Sequence, residues 1–227
     1  MPRSSVWVIG VTALRHHLQA GDDNEFAGKA GQVSIGGGYV SRYWFSTLSL
    51  DIVLGPYEPN SATTLDVDWS GTGASWWVAY SAQNLDVRSP EGSYGFALGF
   101  NYADMVGRSI GRNRREPRDP TDQQSVGLID NYQMRINSFA VMPAIYFSWF
   151  EAARPLGNKP ELLATRLEGT TLAIGVSAPV ASSWSARYDR RIAAATETTP
   201  PIREQVRERG KLHGYSVFAS VHAMLGI

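Results

Sequence analysis

The 227-residue chain contains no cysteine. That excludes a disulfide scaffold, a thiolate metal site and a cysteine nucleophile. Long apolar runs are also missing. A membrane-spanning helix needs about 20 consecutive, mostly apolar residues. The longest candidates, Val6–Leu14 and Phe139–Phe150, fall short, and the second contains Pro143. Neither sign of charge is in excess, because 21 Lys+Arg balance 21 Asp+Glu. Nothing therefore draws the whole chain toward nucleic acid, although single loops can still be basic. No heptad, internal repeat or low-complexity tract stands out. The apolar stretch after Met1–Ser5 is cut short by Arg15-His16-His17, and its one candidate cleavage point follows Ala20, so residues 5–16 read as a strand rather than a signal. A mean hydropathy of -0.21 and 43% hydrophobic residues match an ordinary soluble protein. The length fits one domain over residues 1–227.

What the chain does have is alternation with a period of two. Near the C-terminus Tyr215, Val217, Ala219, Val221, Ala223, Leu225 and Ile227 are apolar, and Ser216, Ser220 and His222 lie between them. Successive strand side chains point to opposite faces, so one face is wholly apolar. Tyr94, Phe96, Leu98, Phe100 and Tyr102 alternate with Ser93, Gly95, Ala97, Gly99, Asn101 and Ala103. Here one face is large and greasy, and the other is small enough for a crowded interior. Val33 and Ile35 share a phase that flips near Ser41-Arg42-Tyr43, as a tight hairpin requires. From Tyr132 to Phe150 the apolar phase changes once, which places a bulge or a strand start near Asn137-Ser138.

These patterns give about eight strands: 5–16, 31–42, 44–55, 72–84, 93–106, 132–150, 164–180 and 212–227. Long connections at 17–30, 56–71, 107–131 and 181–211 alternate with short ones. The expected fold is all-β, an antiparallel up-and-down sheet with its long loops at one end.

In this respect the chain resembles the small eight-stranded outer-membrane β-barrels of Gram-negative type. That family has short periplasmic turns, longer extracellular loops and strands alternating apolar-out and small-or-polar-in. The resemblance implies a closed transmembrane β-barrel in the bacterial outer membrane, since closure pairs every backbone polar group. It implies membrane lipid, lipopolysaccharide and the outer-membrane assembly machinery as partners, a monomer, and no nucleic acid. It also implies a non-catalytic role in surface recognition, adhesion or envelope stabilisation, with no cofactor. The family usually ends in Phe or Trp, and this chain ends Leu225-Gly226-Ile227. Tyr39, Tyr43, Trp44, Tyr80, Tyr94 and Trp149 collect near the short turns, where a girdle at the lipid–water boundary belongs.

The candidate chemistry is sparse. His222 shares the expected inward face with Ser216 and Ser220, which reads as interior polar packing ahead of a lipid-hydrolase site. Arg42, Asp51 and Arg135 are expected inside the barrel as a paired network, because an unpaired buried charge is costly. Trp77 is expected to help fill the lumen. Gly36-Gly37-Gly38 and Ser70-Gly71-Thr72-Gly73 precede no helix and form no phosphate loop. Asp51, Asp66 and Asp68 lack calcium-loop spacing, and no metal site is expected. The expected binding residues are loop arginines: Arg112, Arg114, Arg115 and Arg118 in the third long loop, and Arg190 and Arg191 in the fourth. Guanidinium groups there suit the phosphates of lipopolysaccharide. Two further readings are a soluble up-and-down barrel enclosing an apolar ligand and an outer-membrane lipid-modifying enzyme.

Overall fold

A computed structural model describes residues 4–20, 24–41, 43–59, 67–81, 92–109, 129–152, 167–195 and 200–226. The strands are β1 (Ser4–Ala20), β2 (Asn24–Val40), β3 (Trp44–Pro59), β4 (Val67–Ser81), β5 (Ser93–Ser109), β6 (Ile129–Ala152), β7 (Leu167–Ala193), β8 (Ile202–Gly210) and β9 (Leu212–Gly226). Each of β1 to β6 pairs antiparallel with the next. β6 pairs with β7, β7 with β9, and β9 with β1, which closes an all-β barrel of eight staves. The eighth stave is β8 and β9 in series, interrupted at Lys211. At this break the Ser182 hydroxyl lies 3.0 Å from both the amide and the carbonyl of Leu212. Gly214 follows with φ of +114°, and a Cβ there would meet the His17 carbonyl. The irregularity therefore requires glycine at that position.

Side chains on the two faces follow the alternation read from the sequence. Trp7, Ile9, Val11, Val33, Ile35, Leu48, Leu50, Ile52, Phe96, Ile145, Ile174 and Val221 are exposed on the outer wall. Their neighbours Val8, Thr12, Ser34, Ser49, Asp51, Ala97, Ala144, Ala173 and Ser220 are buried inside. The apolar face points outward, so the barrel is inside-out relative to one that encloses an apolar ligand. Along β9 the outer apolar run extends from Tyr215 to Leu225. At ~3.3 Å per residue and a tilt of ~40°, that band is about 25 Å tall.

The expected tight connection between β2 and β3 is present, closed by Ser41 N–H donating to the Trp44 carbonyl at 2.7 Å. Two of the expected loops are largely strand. In place of a loop at 17–30, β1 continues to Ala20 and β2 begins at Asn24, paired throughout. In place of a loop at 181–211, β7 runs on to Ala193 and pairs with β8. Polar composition caused both differences. Lys29, Arg187 and Arg207 read as loop residues, yet beyond the apolar band a strand can carry charge outward without losing its backbone pairing. The loops at 56–71 and 107–131 are narrower than expected, with strand continuing to Pro59 and from Val67, and to Ser109 and from Ile129. Fourteen residues separate the lower strand ends Ala152 and Leu167 while three separate the upper ends Ala20 and Asn24, so long and short connections do not alternate strictly.

The upper parts of β6, β7 and β8 rise beyond the barrel as a raised sheet. They explain the phase change in β6. The strand keeps one continuous register with β5. Above Asn137 its inward residues Tyr132, Met134 and Ile136 are the apolar ones. Below it the outward residues Phe139, Ile145 and Phe147 are apolar. The surroundings change while the strand does not. The irregularity expected near Asn137-Ser138 lies opposite, where β7 passes from Pro179 to Ala181 between the partners of Ala140 and Phe139.

Candidate functional site

The lumen is filled in three layers. The lower layer contains Phe45, Trp77, Met142, Tyr146, Phe218 and Met224. Trp77 meets Phe218 edge-on at 5.6 Å, and Phe45 meets Tyr146 at 5.0 Å. The upper layer contains Trp69, Met105, Tyr132, Met134, Ile136 and Trp184. The small residues of β5 leave the room these rings need. A Cβ on Gly99 would lie 2.7 Å from the Trp77 ring. Eight staves leave an interior that side chains can fill, and here large rings close it above and below.

Between the two apolar layers lies a polar waist. Asp51 is only 2% exposed. Its carboxylate accepts hydrogen bonds from Ser49 (3.2 Å), Ser75 and Asn101 (3.3 Å). Asn101 also donates to Ser75 at 3.0 Å. A buried carboxylate is tolerable when such donors replace its water. Asp51 thus points inward as expected. Arg135 does not, because it lies on the outer surface of the raised sheet. There it grips Asp104 through Nε (3.0 Å) and Nη2 (2.6 Å), and this pairing holds the Asp104 carboxyl below its ordinary range. Arg42 lies outside the described residues.

The structure brings together a serine and a histidine that no sequence pattern links. His16 Nδ1 and Ser216 Oγ are 2.6 Å apart across β1 and β9. The pair borders a cavity of about 50 Å³ shared with Gln32, Asn101 and Ser138. A cavity of that size holds a few waters, not an acyl chain. Ser220 and His222 both face inward, with no mutual hydrogen bond among the described residues.

The six expected girdle aromatics all lie on the outer surface at the lower end: Tyr39, Tyr43, Trp44, Tyr80, Tyr94 and Trp149. Trp44 and Tyr80 are cross-strand partners with ring centroids 4.8 Å apart. Trp7 joins them, exposed on β1. Its place in the alternation could have revealed it.

Comparison with family models, curated proteins and solved structures finds no match.

The expected arginine sites change most. Arg112, Arg114, Arg115 and Arg118 lie outside the described residues. Arg190 and Arg191 are on β7, not in a loop, and both are engaged. Arg190 donates to Glu204 at 2.9 Å. Arg191 is buried and grips Asp130 with two bonds, at 2.8 and 3.1 Å, while Arg203 approaches the same carboxylate at 3.3 Å. A buried arginine committed to a carboxylate is a structural clamp between β6 and β7, not an open phosphate site. No group of three or more metal-ligating side chains occurs among the described residues.

Tyr188 fastens β8 from the inner side of the raised sheet by donating to Glu208 at 2.7 Å. Its phenol is pushed up to about 12, first by burial and then by the Glu208 carboxylate. A pKa raised on folding gives stability that is complete below the free-phenol value and lost as pH rises through the folded one. The β7–β8 pairing is therefore expected to hold at pH 10 and loosen as pH passes about 12. Amide hydrogen exchange of residues 202–210 checks this. Equal protection in Tyr188→Phe and wild type at both pH values would count against it.

Proposed function

We propose that the chain is a non-catalytic, non-conducting β-barrel of the bacterial outer membrane that holds its raised sheet at the cell surface. The observation that carries this reading is the outward apolar band. It is about one outer-membrane thickness tall and edged below by Trp and Tyr, which favour the lipid–water boundary. Above, it ends abruptly at Arg15, Lys29, Asp104 and Arg135. A barrel in water would have to expose rings such as Phe96, 73% accessible, with no gain. In lipid the same rings lie in their preferred surroundings. The filled lumen favours an anchor over a channel. The small cavity at His16 and Ser216, too small for an acyl chain, disfavours lipid hydrolysis.

The test is to compare the chain with and without detergent. Expected are folding only with detergent or lipid, and a gel mobility that shifts on boiling. A monodisperse, folded monomer in detergent-free buffer would sink the proposal.

A further inference from the structure

We propose that the outer face of the raised sheet binds phosphate groups of lipid headgroups between Arg187, Arg207 and Arg209. This rests on the membrane reading above. The strand register sets two rows on that face. Arg108, Gln133, Arg187 and Arg207 are successive cross-strand partners in one row. Val106, Arg135, Ser185 and Arg209 form the row beneath it. Arg187 and Arg207 therefore stand directly opposite one another. Like charges so placed destabilise a sheet.

The surrounding acids do not relieve that pair. Asp104 is engaged by Arg135, Glu204 by Arg190, and Asp130 by Arg191 and Arg203. Asp189, one row above, accepts from Asn131 at 2.8 Å. The Glu208 carboxylate accepts from Tyr188 on the inner side. Among the described residues Arg207 donates to the Gln205 amide oxygen alone, at 3.1 Å. Among the described residues no carboxylate comes within ion-pair distance of Arg187, Arg207 or Arg209. These side chains border an open groove of about 650 Å³. A phosphate set there would bridge the opposed guanidinium groups, whose planar forks match its oxygens.

Position identifies the source of the phosphate. Below Val106 the same outer face passes the Asp104–Arg135 pair and reaches the exposed apolar wall at Tyr102 and Phe139. Arg135, in the lower row, is four residues beyond Phe139, or roughly 10 Å at a tilted strand rise. Headgroups occupy that depth just outside the hydrocarbon core. An acyl chain could then run down the wall while its phosphate sits in the groove, which a free anion would not exploit.

The full chain, folded in neutral detergent micelles, is titrated with phosphatidic acid and separately with phosphatidylcholine, and retained lipid is read by native mass spectrometry. Wild type is expected to prefer phosphatidic acid by about tenfold or more, the scale of charge-assisted hydrogen bonds. Arg187→Gln with Arg207→Gln should abolish the preference. It should also raise the melting temperature in lipid-free detergent, because the opposed charges are gone. Arg15→Gln with Lys29→Gln removes an equally charged, directly opposed pair on β1 and β2 that lies outside the groove, and should retain the preference. Equal loss in both double variants would reduce the effect to general electrostatics and overturn the site. Displacement of phosphatidic acid by excess inorganic phosphate would overturn the lipid assignment. Boiling-dependent gel mobility reports folding separately. Failure of wild type to fold in detergent defeats the membrane reading, whereas folding without lipid preference defeats only this proposal.

Discussion

Leu50→Arg is expected to lower the stability of the folded barrel in a lipid bilayer by about 2–4 kcal/mol, the cost of a cation on the lipid face near the midplane. Leu50 is 70% exposed on the outer wall of β3, far from the ends of the apolar band. The same substitution on the surface of a water-soluble barrel falls within about 0.5 kcal/mol of neutral. The measurement is reversible urea unfolding in phosphatidylcholine vesicles, followed by tryptophan fluorescence. Lys29→Leu serves as the reverse control, because Lys29 lies above the band and should tolerate the change. Unchanged stability in Leu50→Arg would remove the physical basis for placing this wall in lipid.

The adjacent residue shows how much of this organisation was legible. Leu50 and Asp51 are neighbours, and alternation alone assigns one to the wall and the other to the lumen. The same logic placed Trp77 inside and Trp44 outside. It failed for Arg135 because it assumed that apolar means outward along the whole strand. That assumption holds only within the band. Above it the outer surface is polar and the interior apolar, so Tyr132, Met134 and Ile136 turn inward with no break in β6. Charge density misled in the same way for Arg190, Arg191 and the strand Ile202–Gly210. The His16–Ser216 contact and the Arg187–Arg207 opposition were beyond reach, because both depend on strand register. A one-residue slip would change every such pairing, and composition does not specify register. The partners of Asp51 were hidden for the same reason, as Ser75 and Asn101 come from separate strands.

The lumen gives the other large expected effect. Trp77→Ala should cost about 3–5 kcal/mol, because it removes a buried ring and leaves a cavity. Gly99→Ala should cost about 1–3 kcal/mol, since its new methyl must displace the same ring. These two costs have one cause, so they should not add. With the ring gone, the methyl added by Gly99→Ala enters vacated space. The double variant should therefore lie close to Trp77→Ala alone, with a coupling of at least about 1 kcal/mol. Strict additivity in denaturant titrations would mean that Gly99 is not small on account of Trp77. Planar-bilayer recording adds a second readout. Trp77→Ala should still pass no ions, because Trp69, Tyr132 and Trp184 close the lumen in a separate layer above. Conductance should require loss of both layers, for example in Trp77→Ala combined with Trp69→Ala and Trp184→Ala. A pore opened by Trp77→Ala alone would show that the upper layer does not seal. The raised sheet would then stand over a channel, and the anchor reading would have to give way.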